Sequence, residues 1–257
     1  MDERKPLTVA IIPARGGSKQ VPRKNLQRVG GVPLVERAVR AAAAAPGIDL
    51  VVVSTDDDEI AAVATSAGAR VVRRPAALSG DTATSESAIL HALDDLEANG
   101  DAVGIVAFLQ ATSPFIPSDA LADAVEEIRA DRADSVFSAH ETYGFLWREG
   151  EGSEAVAINH EAAHRPRRQD REPHHLETGA FYVFRAAGFR ENKHRFFGRI
   201  RIAAVPEWTA IEIDDADQLR VARALARVHE APTPIAVRAV VTDFDGVHTD
   251  DTAIIDA

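Results

Sequence analysis

Short apolar runs alternate with longer amphipathic segments along the first half of the chain. Residues 7–13, with the sequence LTVAIIP, form an aliphatic run without a polar face, which is typical of a strand buried on both sides of a sheet. Similar runs recur and are separated by segments of helical length. The pattern predicts strands at 7–13, 50–54, 70–72, 103–109 and 135–139, and helices at 33–45, 57–67, 85–97 and 118–130.

This alternation predicts the fold class. Strands that alternate with helices of about ten to fifteen residues are typical of βαβ units with right-handed crossovers. We therefore expect an α/β fold with a doubly wound, mostly parallel sheet. The pattern loosens over about 141–176, which predicts an insertion. Beyond it we expect strands at 180–184, 199–205 and 209–213 and a last helix at 216–229.

Composition and charge narrow the class of protein. The chain has 257 residues, no cysteine and a formal net charge of −11. It therefore has no disulfide, thiolate zinc site or cysteine nucleophile, and its acidity argues against general nucleic-acid binding. The amino terminus lacks the pattern of a signal peptide, and no apolar run approaches about 18 residues. We expect a cytoplasmic protein with no membrane association.

The tail of the first predicted strand is glycine-rich and basic. Seven basic residues and no acidic residue lie between Arg4 and Val35. Ligands of open α/β sheets bind beyond the carboxyl ends of the strands, and adjacent glycines let backbone amides face an anion. The loop fits a phosphate-binding cradle, although a flexible basic turn has the same composition; it lacks the Walker A order. The candidates are Arg15, Gly16, Gly17, Ser18, Lys19, Lys24 and Asn25.

Later strand tails carry weaker signals. Residues 74–85 are too polar for a regular element and lead into a helix, so their amides and hydroxyls fit contacts to a base or a sugar. Gln110 ends an apolar strand, where its amide side chain fits either a substrate hydroxyl or an ordinary turn. Ser54 and Thr55 follow the second predicted strand, and they fit a cap of the helix at 57–67 as well as they fit a contact to a ligand.

These stretches, in this order, resemble the nucleotidyltransferases that activate nine-carbon and eight-carbon ulosonic acids, in particular the acylneuraminate cytidylyltransferase family. The resemblance covers about residues 7–229. It extends to the sequences PRRQD at 166–170, GAFY at 179–182 and IEID at 211–214. Several ordered pieces at family-like spacing make this resemblance specific.

The resemblance implies a Rossmann-like nucleotidyltransferase that moves CMP from CTP to the anomeric hydroxyl of a sialic-acid-like nonulosonic acid and releases pyrophosphate. It also implies a dimer, or a dimer of dimers, formed through the insertion. By position, the implied phosphate binders are Arg15, Ser18, Lys19 and Lys24, with Gly16 and Gly17 in the same nucleotide-binding loop. The implied catalytic residues are Arg15, Lys19 and Lys24. The nucleoside contacts are Asn25, Arg74 and Ser85, and the sugar contacts are Gln110, Arg168 and Tyr182.

Two carboxylates are the candidates for a magnesium site. Glu212 and Asp214 are two residues apart, so on a strand they would project from one face, and Mg²⁺ takes one or two carboxylates together with phosphates and water. The family-like pattern has Asp at both positions. We therefore expect Asp214 as the metal ligand and Glu212 in an outer role; a solvated acidic strand end fits the same residues.

Two further functions stay open at this point. One is the same reaction on an eight-carbon ulosonic acid. The other is a regulatory protein that binds nucleotide without turnover, for which the departures at Glu212 and at Leu176 are the support; some bacterial family members carry a second sugar-side arginine at the latter position.

The last residues carry a separate signal. Residues 231–234, with the sequence APTP, predict a linker after a domain at 1–230. Residues 242–250 then resemble the first motif of haloacid-dehalogenase-type phosphatases, with Asp243 as nucleophile and Asp245 as acid/base. Only 23 residues follow Pro234. We expect a truncated or vestigial start of that domain at 231–257, without phosphatase activity.

Overall fold

A computed structural model describes residues 5–80 and 83–230. The described chain contains eleven strands and six α-helices. The strands are β1 (Leu7–Pro13), β2 (Arg28–Val29), β3 (Val32–Pro33), β4 (Leu50–Thr55), β5 (Arg70–Arg73), β6 (Val103–Leu109), β7 (Ser135–Thr142), β8 (Trp147–Glu149), β9 (Ala155–Ala157), β10 (His174–Arg185) and β11 (Ile200–Ala204). The helices are α1 (Leu34–Ala44), α2 (Asp58–Ser66), α3 (Ser85–Ala98), α4 (Ser118–Arg129), α5 (Ala186–Asn192) and α6 (Ala216–His229).

Seven strands form one twisted sheet in the order β11, β7, β10, β6, β1, β4, β5. Every neighbouring pair is parallel except the two that involve β10, which is antiparallel to both β6 and β7. The carboxyl ends of the six parallel strands therefore meet at one edge of the sheet. The prediction of an α/β fold with a mostly parallel sheet is confirmed.

The central strand β1 explains why the sheet is covered on both faces. Its alternate side chains point to opposite layers. Ala10 and Ile12 pack in the cluster that contains residues of α1 and α4, whereas Val9 and Ile11 pack in the cluster that contains residues of α3 and α5. All four are fully buried, as expected for a strand without a polar face.

The strand predicted at 209–213 is wrong. A 3-10 turn covers Glu207–Thr209, and the following residues have no ladder partner; the Ile213 N–H donates instead to the Thr112 carbonyl at 2.9 Å. The bond joins the segment to the turn just beyond the carboxyl end of β6, so the segment crosses the end of the sheet and does not extend one of its edges. Glu212 and Asp214 therefore do not share the face of a strand.

Helix α6 begins directly after this crossing segment because of a capping box. The Asp215 carboxylate accepts from the Gln218 N–H, and the Gln218 side chain accepts from the Asp215 N–H. Such reciprocal bonds satisfy amides that the first helical turn leaves without a partner. The cap fixes the backbone next to Asp214, which is one of the predicted site residues.

The predicted insertion at about 141–176 is built on two long strands. The end of β7 and the first residues of β10 continue as an antiparallel pair, with His174 opposite Thr142, and the hairpin of β8 and β9 lies between them. No helix in the described part of the chain is long and apolar enough to cross a membrane. The linker and the phosphatase-like motif at 231–257 lie outside the described residues.

Candidate active site

A cavity of about 300 Å³ lies at the carboxyl ends of β1, β5 and β6. Ten of the fourteen predicted site residues line it, although they come from five separate stretches of sequence. Those ten are Arg15, Gly17, Ser18, Lys24, Asn25, Arg74, Ser85, Gln110, Glu212 and Asp214. The structure thus brings together residues predicted for the phosphate, the nucleoside, the sugar and the metal.

The loop after β1 is held by polar contacts at its base. The Asn25 amide nitrogen donates to the Arg15 carbonyl at 2.9 Å, and the Gly16 N–H donates to Asp56 Oδ1 at 3.0 Å. A Cβ at Gly16 would lie 2.7 Å from the Asp57 carboxylate, so a glycine is required there. The Gly16 amide is therefore engaged within the protein, and Gly17, which has open space around it, is the glycine that lines the cavity.

Arg74 is the most unusual residue of the cavity. It is only 8% exposed, and its Nε and Nη2 atoms are buried without a hydrogen-bond partner in the part of the chain that the structure describes. Burial lowers the pKa of Arg74, as does the charge of Arg15, while Asp56 acts in the opposite direction. A guanidinium stays charged in proteins, and buried donors without an acceptor are rare and costly. The arrangement indicates a place for acceptor atoms of a ligand.

The two carboxylates of the cavity lie in different environments. Asp214 Oδ1 accepts from Lys24 Nζ at 2.9 Å, and the Asp214 side chain is 55% exposed. Glu212 Oε1 accepts from both Gln110 Nε2 and Thr112 Oγ1 at 3.1 Å. Burial raises the pKa of Glu212, and the charge of Asp214 adds to that effect. Asp214 thus opens to the cavity, whereas Glu212 is engaged by neighbouring side chains.

Gly179 makes room for the contact between Gln110 and Glu212. It has a positive φ of 72°, and a Cβ there would lie 2.9 Å from Gln110 Nε2 and 3.2 Å from Glu212 Oε2. Because the Gln110 nitrogen faces the carboxylate, its carbonyl oxygen is left to accept from a ligand. This role of Gly179 was not predicted; the signal was a glycine within a strand, which often marks a close approach.

Tyr182 does not line the cavity itself but packs behind Phe108, which does. Its ring stacks on Phe108, which lines the cavity, with centroids 5.5 Å apart, and its hydroxyl donates to the Glu177 carboxylate. Burial raises the pKa of Tyr182, and the hydrogen bond to Glu177 raises it further. Tyr182 therefore acts on the cavity wall through Phe108 in this conformation.

Two further predicted residues lie away from the cavity or at its margin. Arg168 is exposed on a 3-10 turn of the insertion, with its guanidinium 4.3 Å from the centroid of the Tyr143 ring. Lys19 is exposed on the loop just beyond Ser18. Within residues 5–80 and 83–230, no group of three or more histidine, aspartate or glutamate side chains is arranged to hold a metal ion.

Comparison with known proteins decides the family. The family described as cytidylyltransferase matches residues 9–188. The chain belongs to the cytidylyltransferase family. The matched residues include the loop after β1, Arg74, Ser85, Gln110 and Tyr182, and they end before Glu212 and Asp214. The prediction of a cytidylyltransferase is thus confirmed over most of the cavity, while the two carboxylates lie beyond the matched residues.

Two curated relatives from this family differ in how much of their length is matched. The chain is 38% identical over 181 residues to N-acylneuraminate cytidylyltransferase from Oncorhynchus mykiss, and this match covers 69% of this chain and 41% of that protein. It is 31% identical over 228 residues to pseudaminic acid cytidylyltransferase from Campylobacter jejuni, and this match covers 87% of this chain and 98% of that protein. The chain therefore spans less than half of the first relative.

A solved structure supports the fold. A CMP:2-keto-3-deoxy-manno-octonic acid synthetase complexed with CTP superimposes with a TM-score of 0.64 at 17% identity, over 86% of this chain and 99% of that one. At this identity the likeness concerns the fold alone. It agrees with the Rossmann-like nucleotidyltransferase architecture that the sequence pattern and the family resemblance predict.

Proposed function

We propose that this cytidylyltransferase-family chain transfers CMP from CTP to the anomeric hydroxyl of a sialic-acid-like nonulosonic acid and releases pyrophosphate. The observation that carries the proposal is one cavity that holds both Arg74, whose Nε and Nη2 have no hydrogen-bond partner among the described residues, and the ion pair of Lys24 with Asp214. Relatives named for N-acylneuraminate and pseudaminic acid support this class of acceptor.

The phosphate side of the reaction falls to the loop after β1. Phosphoryl transfer spreads negative charge over the phosphate oxygens, and catalysis rests on positioning and cationic stabilisation rather than on covalent chemistry. Arg15, Ser18 and Lys24 line the cavity and supply two charges and a hydroxyl, and we assign them to the triphosphate, with Lys19 at the margin. Their charge offsets the pyrophosphate as it leaves.

The nucleoside side falls to Arg74, Ser85 and Asn25. Cytosine presents two adjacent acceptors, its O2 and N3 atoms, and a guanidinium can donate to two acceptors at once. The buried Nε and Nη2 atoms of Arg74 lack such acceptors within residues 5–80 and 83–230. Ser85 begins α3 at the cavity, where its hydroxyl fits a contact to the nucleoside.

We also propose magnesium as the cofactor, with Asp214 as its protein ligand. Mg²⁺ binds through one or two carboxylates plus substrate phosphates and keeps several waters, so one exposed carboxylate beside a phosphate cradle fits the ion. When bound, magnesium supplies positive charge against the phosphates. Glu212, held by Gln110 and Thr112, has the outer role.

The sugar side combines residues of the chain with a proposed partner protomer. Gln110 presents its carbonyl oxygen to a sugar hydroxyl, and the Tyr182 ring supports the wall next to it. The insertion exposes four large apolar side chains to solvent by about half, namely Leu146, Trp147, Ile158 and Leu176. We propose that they form a homodimer contact and that Arg168 of one protomer binds the sugar carboxylate at its neighbour's cavity, since an Arg fork matches a carboxylate.

The test is pyrophosphate release from each of the four common nucleoside triphosphates, with a nine-carbon sialic acid, a pseudaminic-type acid and an eight-carbon ulosonic acid as acceptors. We expect release with CTP and a nine-carbon acid. Preference for the eight-carbon acid would assign the alternative acceptor, for which a 39% identical stretch of 124 residues in a 3-deoxy-manno-octulosonate cytidylyltransferase of Maricaulis maris is the support. CTP binding without release for any acceptor would favour a regulatory protein.

A further inference from the structure

Arg195 packs against Tyr182 and against Phe108, which lines the cavity. Its guanidinium carbon is 4.9 Å from the centroid of the Phe108 ring and 4.5 Å from that of Tyr182. These two rings are neighbours on adjacent strands, because Tyr182 of β10 pairs with Phe108 of β6. One guanidinium therefore covers both stacked rings and favours their present position by cation–π attraction.

The same guanidinium is fixed by a largely buried carboxylate. Arg195 Nε and Nη2 donate to Glu86 Oε1 at 3.0 and 2.6 Å, and the two side chains are only 17% and 19% exposed. Burial alone would raise the pKa of Glu86, but the hydrogen bond and charge of Arg195 lower it. A buried pair of this kind has a defined geometry, and removing one partner leaves the other charge uncompensated.

Glu86 places the ion pair next to the cavity. It is the second residue of α3 and follows Ser85 directly, and both Thr84 and Ser85 line the cavity. Arg195 thus joins the start of α3, on the nucleoside side, to the rings of Phe108 and Tyr182, on the sugar side.

We propose that Arg195 is a positioning residue that couples the nucleoside and sugar sides of the cavity, acting through Glu86 and through the Tyr182 and Phe108 rings. The assignment of the two sides rests on the proposed function. The coupling itself is a property of the chain, and it predicts that CTP binding at the start of α3 changes the environment of Tyr182.

A second ion pair on the same helix provides a matched control. Arg190 of α5 pairs with Asp94 and Glu97 of α3 at 2.7 and 2.9 Å. Asp94 is nine residues beyond Ser85, about 13 Å along the helix axis. Arg190→Gln therefore removes ion pairs to α3 at a distance from the cavity wall. Arg195→Gln removes the ion pair to α3 at the cavity.

The first readout does not depend on turnover. The chain has two tyrosines, so incorporation of 3-fluorotyrosine gives two ¹⁹F resonances, which Tyr143→Phe assigns. We expect CTP to shift the Tyr182 resonance in the natural chain and in Arg190→Gln, and to shift it by less than half as much in Arg195→Gln. An undiminished shift in a folded Arg195→Gln protein would overturn the proposal.

The second readout is kinetic. We expect Arg195→Gln to raise the KM for the sugar about tenfold, equivalent to about 1.4 kcal/mol, with the CTP dissociation constant from calorimetry changed much less. Arg195→Lys, which keeps the charge, should restore part of the loss. Equal sugar KM values in Arg195→Gln and Arg190→Gln at matched loss of melting temperature would reduce Arg195 to a structural residue. Absence of turnover in the natural chain would instead contradict the proposed function and leave the resonance test in force.

Discussion

Lys24 Nζ donates to Asp214 Oδ1 across 190 residues of sequence, at 2.9 Å. The Lys24 side chain is only 16% exposed, while that of Asp214 is 55% exposed. The contact ties the loop after β1 to the start of α6 and joins the group we assign to the phosphates with the group we assign to magnesium. The proposed divalent ion would therefore bind a carboxylate whose charge is already partly neutralised by Lys24.

Replacing Lys24 tests the phosphate assignment. We expect Lys24→Ala to lower kcat by roughly 100-fold, the usual effect of removing one preorganised charge-stabilising group. Lys5→Ala, which removes an exposed lysine at the start of β1, is the control for net charge. Unchanged turnover in Lys24→Ala at saturating CTP and sugar would remove Lys24 from the reaction.

The two carboxylates should respond differently to neutralisation. Asp214→Asn should nearly abolish magnesium-dependent activity, because the exposed carboxylate is the proposed inner ligand. Glu212→Gln should leave a partly active enzyme that needs more magnesium and binds the sugar less well, since Gln110 loses a charged acceptor. Magnesium titrations of both variants give the comparison. Equal damage, or greater damage at Glu212, would favour two direct ligands.

Replacing Arg74 should weaken CTP binding without lowering the thermal stability of the protein. Arg74→Met removes a buried charge whose Nε and Nη2 have no partner among the residues described, so we expect the melting temperature without ligand to stay the same or to rise. CTP affinity should fall by roughly ten- to 100-fold, as for loss of a charged hydrogen-bonding group. Calorimetric titration with CTP and a thermal melt check both signs. A variant that melts earlier and binds CTP normally would show that Arg74 supports only the fold.

Gly179 offers a test of Gln110 with an internal control. Gly179→Ala places a methyl group 2.9 Å from Gln110 Nε2 at a positive φ of 72°. Gly68→Ala has a comparable φ of 93° with open space around the new methyl group. Both should lose roughly 1–2 kcal/mol of unfolding free energy from backbone strain. Only Gly179→Ala should raise the KM for the sugar, measured at saturating CTP.

Arg168 tests the partner assignment. Arg168→Lys keeps the charge but loses the fork, so we expect weaker sugar binding and little change in CTP affinity. Mixing an Arg168→Ala chain with an Asp214→Asn chain should restore activity, because one cavity in each mixed dimer then has both groups intact. Failure of the mixture, with dimers verified by ultracentrifugation, would place Arg168 at its own chain's cavity or outside the site.

The sheet and most of the cavity were predictable because they depend on local patterns. The run at Leu7–Pro13 has no polar face, and the carboxyl ends of parallel strands meet at one edge of the sheet. The segment at 209–213 has the apolar content of a strand but bonds to the turn after β6 instead of to a strand, and its sequence does not show that difference. The pairing of Arg195 with Glu86 joins residues 109 apart and depends on how α3 lies against β6 and β10.

The reversed direction of β10 has an evolutionary consequence. Strand β7 ends, and β10 begins, at the edge where the parallel strands present their carboxyl ends, so residues 143–173 emerge at the same edge of the sheet as the cavity. Under the proposed function, changes of length or sequence in this stretch would act on the acceptor side, while the loops after β1 and β5 would be unaffected. Such a chain could then diversify its acceptors by altering one surface segment without a change in the proposed nucleotide site.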